Sequence, residues 1–235
     1  LIDPDRLGPE NTFRHTLGLG ANTSKVEAIK KDLERKLPYL EITAEPTRVE
    51  DHLGAKPQYL EQFDLIVVAI GNPTIELLLN HHLHGSSDNP PAVFTWLDPL
   101  GIGGHALLTH GDADSGCFAC LFEHELKGHE EAGRFNAASF AAPGQDFTKK
   151  LSGCRTTFVP YGAVDATQTA NLAARLGLDS LRGREGDHPL LSWKGAKHDF
   201  VAEGFRLSER FNYDRQELYD LRYAYKKSSC PVCHG

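Results

Sequence analysis

The sequence predicts an α/β protein built on a doubly wound sheet, and three stretches carry that prediction. "NTSKVEAIKKDLERKLP" is an amphipathic helix in which Val26, Ile29, Leu33 and Leu37 recur at helical spacing. "FDLIVVAI" is an unbroken apolar run, typical of a central parallel strand covered on both faces. "AVFTW" is a β-branched and aromatic strand that follows a second helical stretch, "IELLLNHHL". Together with the flanking strands the order reads β-α-β-β-α-β, the alternation a doubly wound sheet requires.

Each element has a local reason. "LIDPD" reads as the end of a buried strand, so the expectation is a polypeptide that continues upstream. Ser24 with Glu27 fits a capping box for the first helix, and Pro38 stops it. "YLEITAEP" then alternates like a strand, and "GNPT" is a turn closing the apolar run. Residues 101–113 are glycine-rich, with "HALLTH" as a short strand. Residues 123–152 are polar and rich in His, Gly and Ala, and are expected to form a mobile loop. "AVDATQTANLAARLG" is an Ala-rich helix expected to be capped by Gly177. Residues 180–235 form a C-terminal lobe with two Trp- or Phe-containing strand candidates, then "YDRQELYDLRYAYKK" and a cysteine tail.

The totals bound the function. The 235 residues suffice for one domain, 1–235, with a real core. A formal charge of -7 argues against nucleic acid as a partner. The longest apolar run, Leu65 to Ile70, is far short of the roughly 20 residues needed to cross a bilayer. No charged-then-apolar leader is visible, and a cytoplasmic setting is the expectation.

The five cysteines fall into a pattern: "GCFAC" places Cys117 and Cys120, "CPVC" places Cys230 and Cys233, and Cys154 stands alone. Two C-x-x-C pairs supply the four thiolates of a tetrahedral structural zinc site. The long gap between the pairs means that the metal would clip a C-terminal segment onto a mid-chain loop. Two surface disulfides or a redox pair are the alternatives, both disfavoured in an intracellular chain without an early C-x-x-C. His234 flanks the second pair. Cys154, in "KKLSGCRTTFVP", is either a small buried hydrophobe or a nucleophile favoured as thiolate by its polar setting and Arg155.

In open α/β sheets ligands bind beyond the carboxyl ends of strands. Asp3 lies at such an end, where an acidic residue commonly holds a ribose hydroxyl; the plainer reading is a turn residue before Pro4. Arg14 and Lys25 are cations that could contact a triphosphate, or ordinary surface charges.

The arrangement resembles the ThiF/MoeB/ubiquitin-activating superfamily. "LIDPDRLGPENTFRHTLG" with "SKVEAIKKDLERKLPYLEI" matches its strand, D-x-D, N-x-x-R and lysine-bearing helix. "GCFACLF", Cys154 before "PYGAVDATQTA", and "CPVC" follow in the family's order. The resemblance implies a Rossmann-like adenylation domain, N-terminally incomplete here, with a zinc-clipped C-terminal segment. It implies that Asp3 binds the ATP ribose, and that Asp5, Asn11, Arg14, Lys25 and Asn72 complete the ATP and magnesium contacts. Arg14 and Cys154 would be catalytic: Arg14 at the phosphates during adenylation of a protein's C-terminal carboxylate, Cys154 as the acyl acceptor in a thioester. Cys117, Cys120, Cys230 and Cys233 would hold zinc.

Two departures stand out. The family's D-N-x-x-x-R reads "GNPTIE" here, with Gly71 for the aspartate and Glu76 for the arginine, so Asp5 or Asp98 would have to help hold magnesium. The family's phosphate-cradling glycine loop would lie upstream of Leu1. "GNPTIE…VFTWLDPLGIGGHALL" resembles bacterial activating domains fused behind a ubiquitin-conjugating-like domain in anti-phage (CBASS-type) operons. That branch implies a ubiquitin-like protein or cGAS-like nucleotidyltransferase as target, a conjugating-type domain upstream, and a homodimer. Sulfur-carrier activation, or a catalytically impaired zinc-stabilised scaffold, are the competing readings, the latter favoured by Gly71.

Overall fold

The structure is a computed structural model. It describes residues 1–8, 11, 15–18, 23–111, 116–122, 135–150, 157–185 and 187–234. The chain forms two compact units, one running Leu1–Tyr59 and the other comprising Leu60–Lys150 and Thr157–Gly235.

In the first unit, the backbone at Leu1–Asp3 pairs in parallel with Glu45: Glu45 N–H donates to Leu1 O at 2.9 Å and Asp3 N–H to Glu45 O at 3.3 Å. Helix α1 (Lys25–Lys36) lies between these two segments. Ser24 caps it by accepting from Glu27 N–H, and Leu37 ends it before Pro38. The expected strand in "YLEITAEP" reduces to that single bridge at Glu45; Tyr39 and Leu40 are exposed, so the alternation there reflects no buried face. A second helix, α2 (Val49–Ala55), follows.

The second unit is organised by a four-stranded sheet, ordered β1 (Ile66–Val68), β2 (Ala92–Leu97), β3 (Gly103–Thr109) and β6 (Leu190–Lys194). β1 and β2 are parallel and joined by helix α3 (Pro73–His84), a βαβ unit as expected; but β1 is the edge strand of the described sheet and its Val67 is exposed, so the apolar run is not the central strand covered on both faces that its sequence suggests. β2–β3 and β3–β6 are antiparallel. The sheet is therefore mixed, because the 98–102 connection is too short for a crossover helix and the chain must turn back. A separate two-stranded ribbon pairs β4 (Lys149–Lys150) with β5 (Thr157–Phe158).

Helix α4 (Ala163–Leu181) packs across β2 and β3, burying Ala173 and Leu176 against Val93, Ala106 and Leu108. It runs past Gly177. That glycine sits inside the helix because a Cβ there would lie 2.8 Å from Leu65 Cδ2. The residue with left-handed backbone is Gly183, φ +62°, just beyond the helix end, where such a cap belongs. Gly104 is a second close approach: Trp193 Nε1 donates to Thr169 Oγ1 at 2.9 Å directly over it.

A second apolar cluster joins Ile102, Phe140, Phe200 and Leu218, with Phe147, Phe205 and Phe211 around it. The expected mobile loop 123–152 is described from 135 to 150, where Ala138 and Phe140 are buried. Gln145 ties that stretch down: its Nε2 donates to Arg206 O at 2.9 Å and its Oε1 accepts from Arg206 N–H at 2.7 Å. A short helix, α5 (His198–Ala202), follows β6. Helix α6 (Arg215–Asp220) follows, its N-terminus closed by a reciprocal Asp214–Glu217 capping box.

Candidate functional site

The cysteine pairs meet in the second unit. Cys117 immediately precedes a short 3-10 turn (Phe118–Phe122) and Cys120 lies within it, and Cys230 and Cys233 form a turn of their own. All four are buried, and their sulfurs lie within 4.8 Å of one another. Cys117 Sγ is 3.6 Å from Cys230 Sγ, and Cys120 Sγ is 3.4 Å from Cys233 Sγ. A tetrahedral ion with metal–sulfur bonds of about 2.3 Å, the zinc value, places its sulfurs about 3.8 Å apart. The cluster therefore has the size and donor set of a four-thiolate centre. His234 is exposed and stands outside it.

Charge within the cluster is shared unequally. The hydrogen bond from the Cys117 thiol holds Cys120 down at about 4, and that same bond, with burial, pushes Cys117 far above the usual thiol range. Burial and its bond to Cys120 push Cys233 up to about 12. Asn80, in the third turn of α3 and fully buried, donates from Nδ2 to Cys117 Sγ at 3.4 Å and accepts from Phe118 N–H at 2.9 Å.

In the first unit, the chain entering α1 brings three candidates together. Lys25 N–H donates to Asp5 O at 3.0 Å, which sets the side chains side by side. Lys25 Nζ lies 2.7 Å from Asp5 Oδ2 and 3.9 Å from Asp3 Oδ2, while Asp3 Oδ1 accepts from Asp5 N–H at 2.7 Å. Asn11 is buried and accepts from Gly8 N–H at 2.8 Å. Arg14 and Cys154 lie outside the described residues.

The ThiF family's sequence model matches residues 1–183. The chain belongs to the ThiF family.

It is 30% identical over 185 residues to the ATP-dependent ubiquitin transferase-like protein Cap2 of Pseudomonas aeruginosa, covering 78% of this chain and 31% of Cap2. A second relative, the uncharacterized protein y4qC of Sinorhizobium fredii, is 29% identical over 131 residues, 52% of this chain and 22% of that one. The chain thus spans about a third or less of these relatives. In fold it is similar to Escherichia coli MccB solved with AMPCPP and MccA, at a TM-score of 0.58 and 15% identity, covering 100% of this chain and 58% of that one. It is also similar to PaaA, at 0.53 and 16%, covering 89% and 63%.

Within this ThiF-family chain, the departures acquire a geometry. Gly71 has a left-handed backbone, φ +71°, and Glu76 reaches back from α3 to accept its N–H at 2.8 Å. Glu76 is 4% exposed, and burial raises its carboxyl above the usual range. Asn72 caps α3 by accepting from Thr74 N–H at 3.1 Å. Asp98, considered from sequence for magnesium, is committed elsewhere: buried, it accepts from Ser139 Oγ at 2.7 Å and Phe140 N–H at 2.6 Å, and faces His105 Nε2 at 3.1 Å. It has no face left for a solvated cation. Sequence reasoning missed Asn80 and the inward turn of Glu76. The signal was present: with Leu79 and Leu83 they occupy the helix positions where periodicity calls for apolar residues.

Proposed function

We propose that this chain is the adenylating module of a ubiquitin-activating-type enzyme. The C-terminal carboxylate of a target protein attacks the α-phosphorus of ATP, pyrophosphate leaves, and an acyl-adenylate remains. The Cys154 thiolate then attacks the acyl carbon, AMP leaves, and a thioester forms. The observation that carries the reading is the Asp3–Asp5–Lys25 group at the start of α1, within a ThiF-family match. Lys25 exchanges its Asp5 contact for phosphate oxygens, and Asp3 takes the ribose. Asp5, freed, would help hold magnesium, whose charge would offset that of the phosphates. Arg14 steadies the charge that gathers at phosphorus. The likeness to Cap2, named as an ATP-dependent ubiquitin transferase-like protein, and to MccB, solved with an ATP analogue, supports this direction. Cys117, Cys120, Cys230 and Cys233 hold a structural zinc. The target is a ubiquitin-like protein or a nucleotidyltransferase, received by a conjugating-type domain, and the active unit is a two-fold dimer.

The full polypeptide with ATP, magnesium and target tests it. Cys154→Ala abolishes a reductant-sensitive adduct but retains ATP–pyrophosphate exchange, because adenylation needs no thiol. Arg14→Ala loses both. A Cys154→Ala protein that forms the wild-type adduct refutes the nucleophile. Wild type without exchange leaves the scaffold reading, which Gly71 favours.

A further inference from the structure

The four buried positions of α3 are Glu76, Leu79, Asn80 and Leu83. Two of them are polar, and a polar side chain is retained in a core where its partners are waiting. Asn80 uses both ends of its amide. Phe118 N–H can only donate, so Oδ1 must face it, and that fixes Nδ2 toward Cys117 Sγ. Four thiolates around a divalent ion leave the centre net anionic, and all four cysteines here are buried. N–H donors to sulfur are what balance that charge. Among the described residues, Cys117 N–H supplies one, to Cys120 Sγ at 3.5 Å, and Asn80 supplies another from outside the cysteine loops.

Asn80 also has a place along the helix. Asn72, Glu76 and Asn80 recur every fourth residue, so Glu76 and Asn80 share one face. Asn80 binds Cys117 Sγ and the Phe118 N–H, and one turn earlier Glu76 accepts the Gly71 N–H. The helix is a strut between the cysteine centre and that turn.

We propose that Asn80 is an outer-sphere residue of the four-cysteine metal centre, orienting the Cys117 thiolate. Through Asn80, α3 carries the occupancy of the centre to the turn at Gly71. This rests on the zinc reading above.

The test is zinc affinity by competition with a chromophoric chelator, using the full polypeptide. Asn80→Asp keeps the acceptor for Phe118 N–H and removes the donor to sulfur. Asn80→Leu removes both at similar volume. Both bind zinc about 10- to 100-fold more weakly than wild type, the usual penalty for losing an outer-sphere partner. A folded Asn80→Asp protein, judged by circular dichroism, with wild-type affinity overturns the assignment. In wild type, stripping the metal speeds hydrogen exchange at the Gly71 amide; unchanged exchange overturns the strut. Wild type that takes up no zinc overturns the metal reading itself.

Discussion

Removing metal from the zinc centre proposed for the cysteine cluster is the perturbation whose size can be worked out most fully. Two devices fasten the 225–233 segment to the loop at residues 116–120. One is the four-sulfur centre. The other is Tyr225, whose single hydroxyl proton is shared between Gly116 O at 3.0 Å and His188 O at 2.9 Å. Such a shared neutral hydrogen bond is worth about 1 kcal/mol net. Zinc present at a thousandfold its dissociation constant stabilises the folded state by about 4 kcal/mol. The metal therefore dominates, and Tyr225 is the residual fastening. For a unit of this size, 1 kcal/mol shifts the unfolding temperature by about 2–4 °C, so chelation should lower it by about 8–16 °C. Cys233→Ser should reproduce most of that drop without chelator, because three sulfurs remain where four closed the site. Calorimetry with and without chelator, on protein of verified metal content, reads the effect. Trypsin cutting at Lys226 and Lys227 reads the release of the segment, which should need chelation and Tyr225→Phe together. Identical unfolding temperatures for loaded and stripped protein would refute the reasoning.

Glu76→Ala removes the acceptor of the Gly71 N–H and should cost about 0.5–1.5 kcal/mol in denaturant unfolding. Glu76→Gln keeps an acceptor and removes the buried charge. Because burial raises the carboxyl of Glu76, its protonated form is the better tolerated one. Wild type should therefore gain on Glu76→Gln as pH falls through the raised value, and a constant difference between pH 7 and pH 4 would count against this. Gly104→Ala would drive a methyl to 2.1 Å from Thr169 Oγ1 and 2.5 Å from Trp193 Nε1, breaking their hydrogen bond. Overpacking of this kind costs about 1–3 kcal/mol, and Trp193 fluorescence should report the lost bond.

The helices were legible because a 3.6-residue apolar repeat survives in sequence, as Val26, Ile29 and Leu33 show in α1. The four-cysteine cluster was legible because C-x-x-C spacing already brings two of the four sulfurs together. What escaped depends on partners distant in sequence. Gly177 read as a helix cap, but its reason is Leu65, more than a hundred residues earlier. Asp98 read as a magnesium candidate from its place at a strand end, whereas Ser139, Phe140 and His105 claim it. The antiparallel return of β3 follows from a short connection, which apolar patterning does not measure.

The separation of the two cysteine pairs also sets a clock. Cys117 and Cys120 leave the ribosome before Cys230 and Cys233, and at about 5–20 residues per second the 110-residue interval between Cys120 and Cys230 lasts about 5–20 s. Through that interval the first pair is an incomplete chelate, able to take a metal weakly or to be oxidised. Only the arrival of the second pair converts it into a closed centre. With zinc held as proposed, tight metal binding during synthesis thus begins only once Cys233 has been made. Nascent chains stalled short of it should be the population from which chelators and oxidants draw.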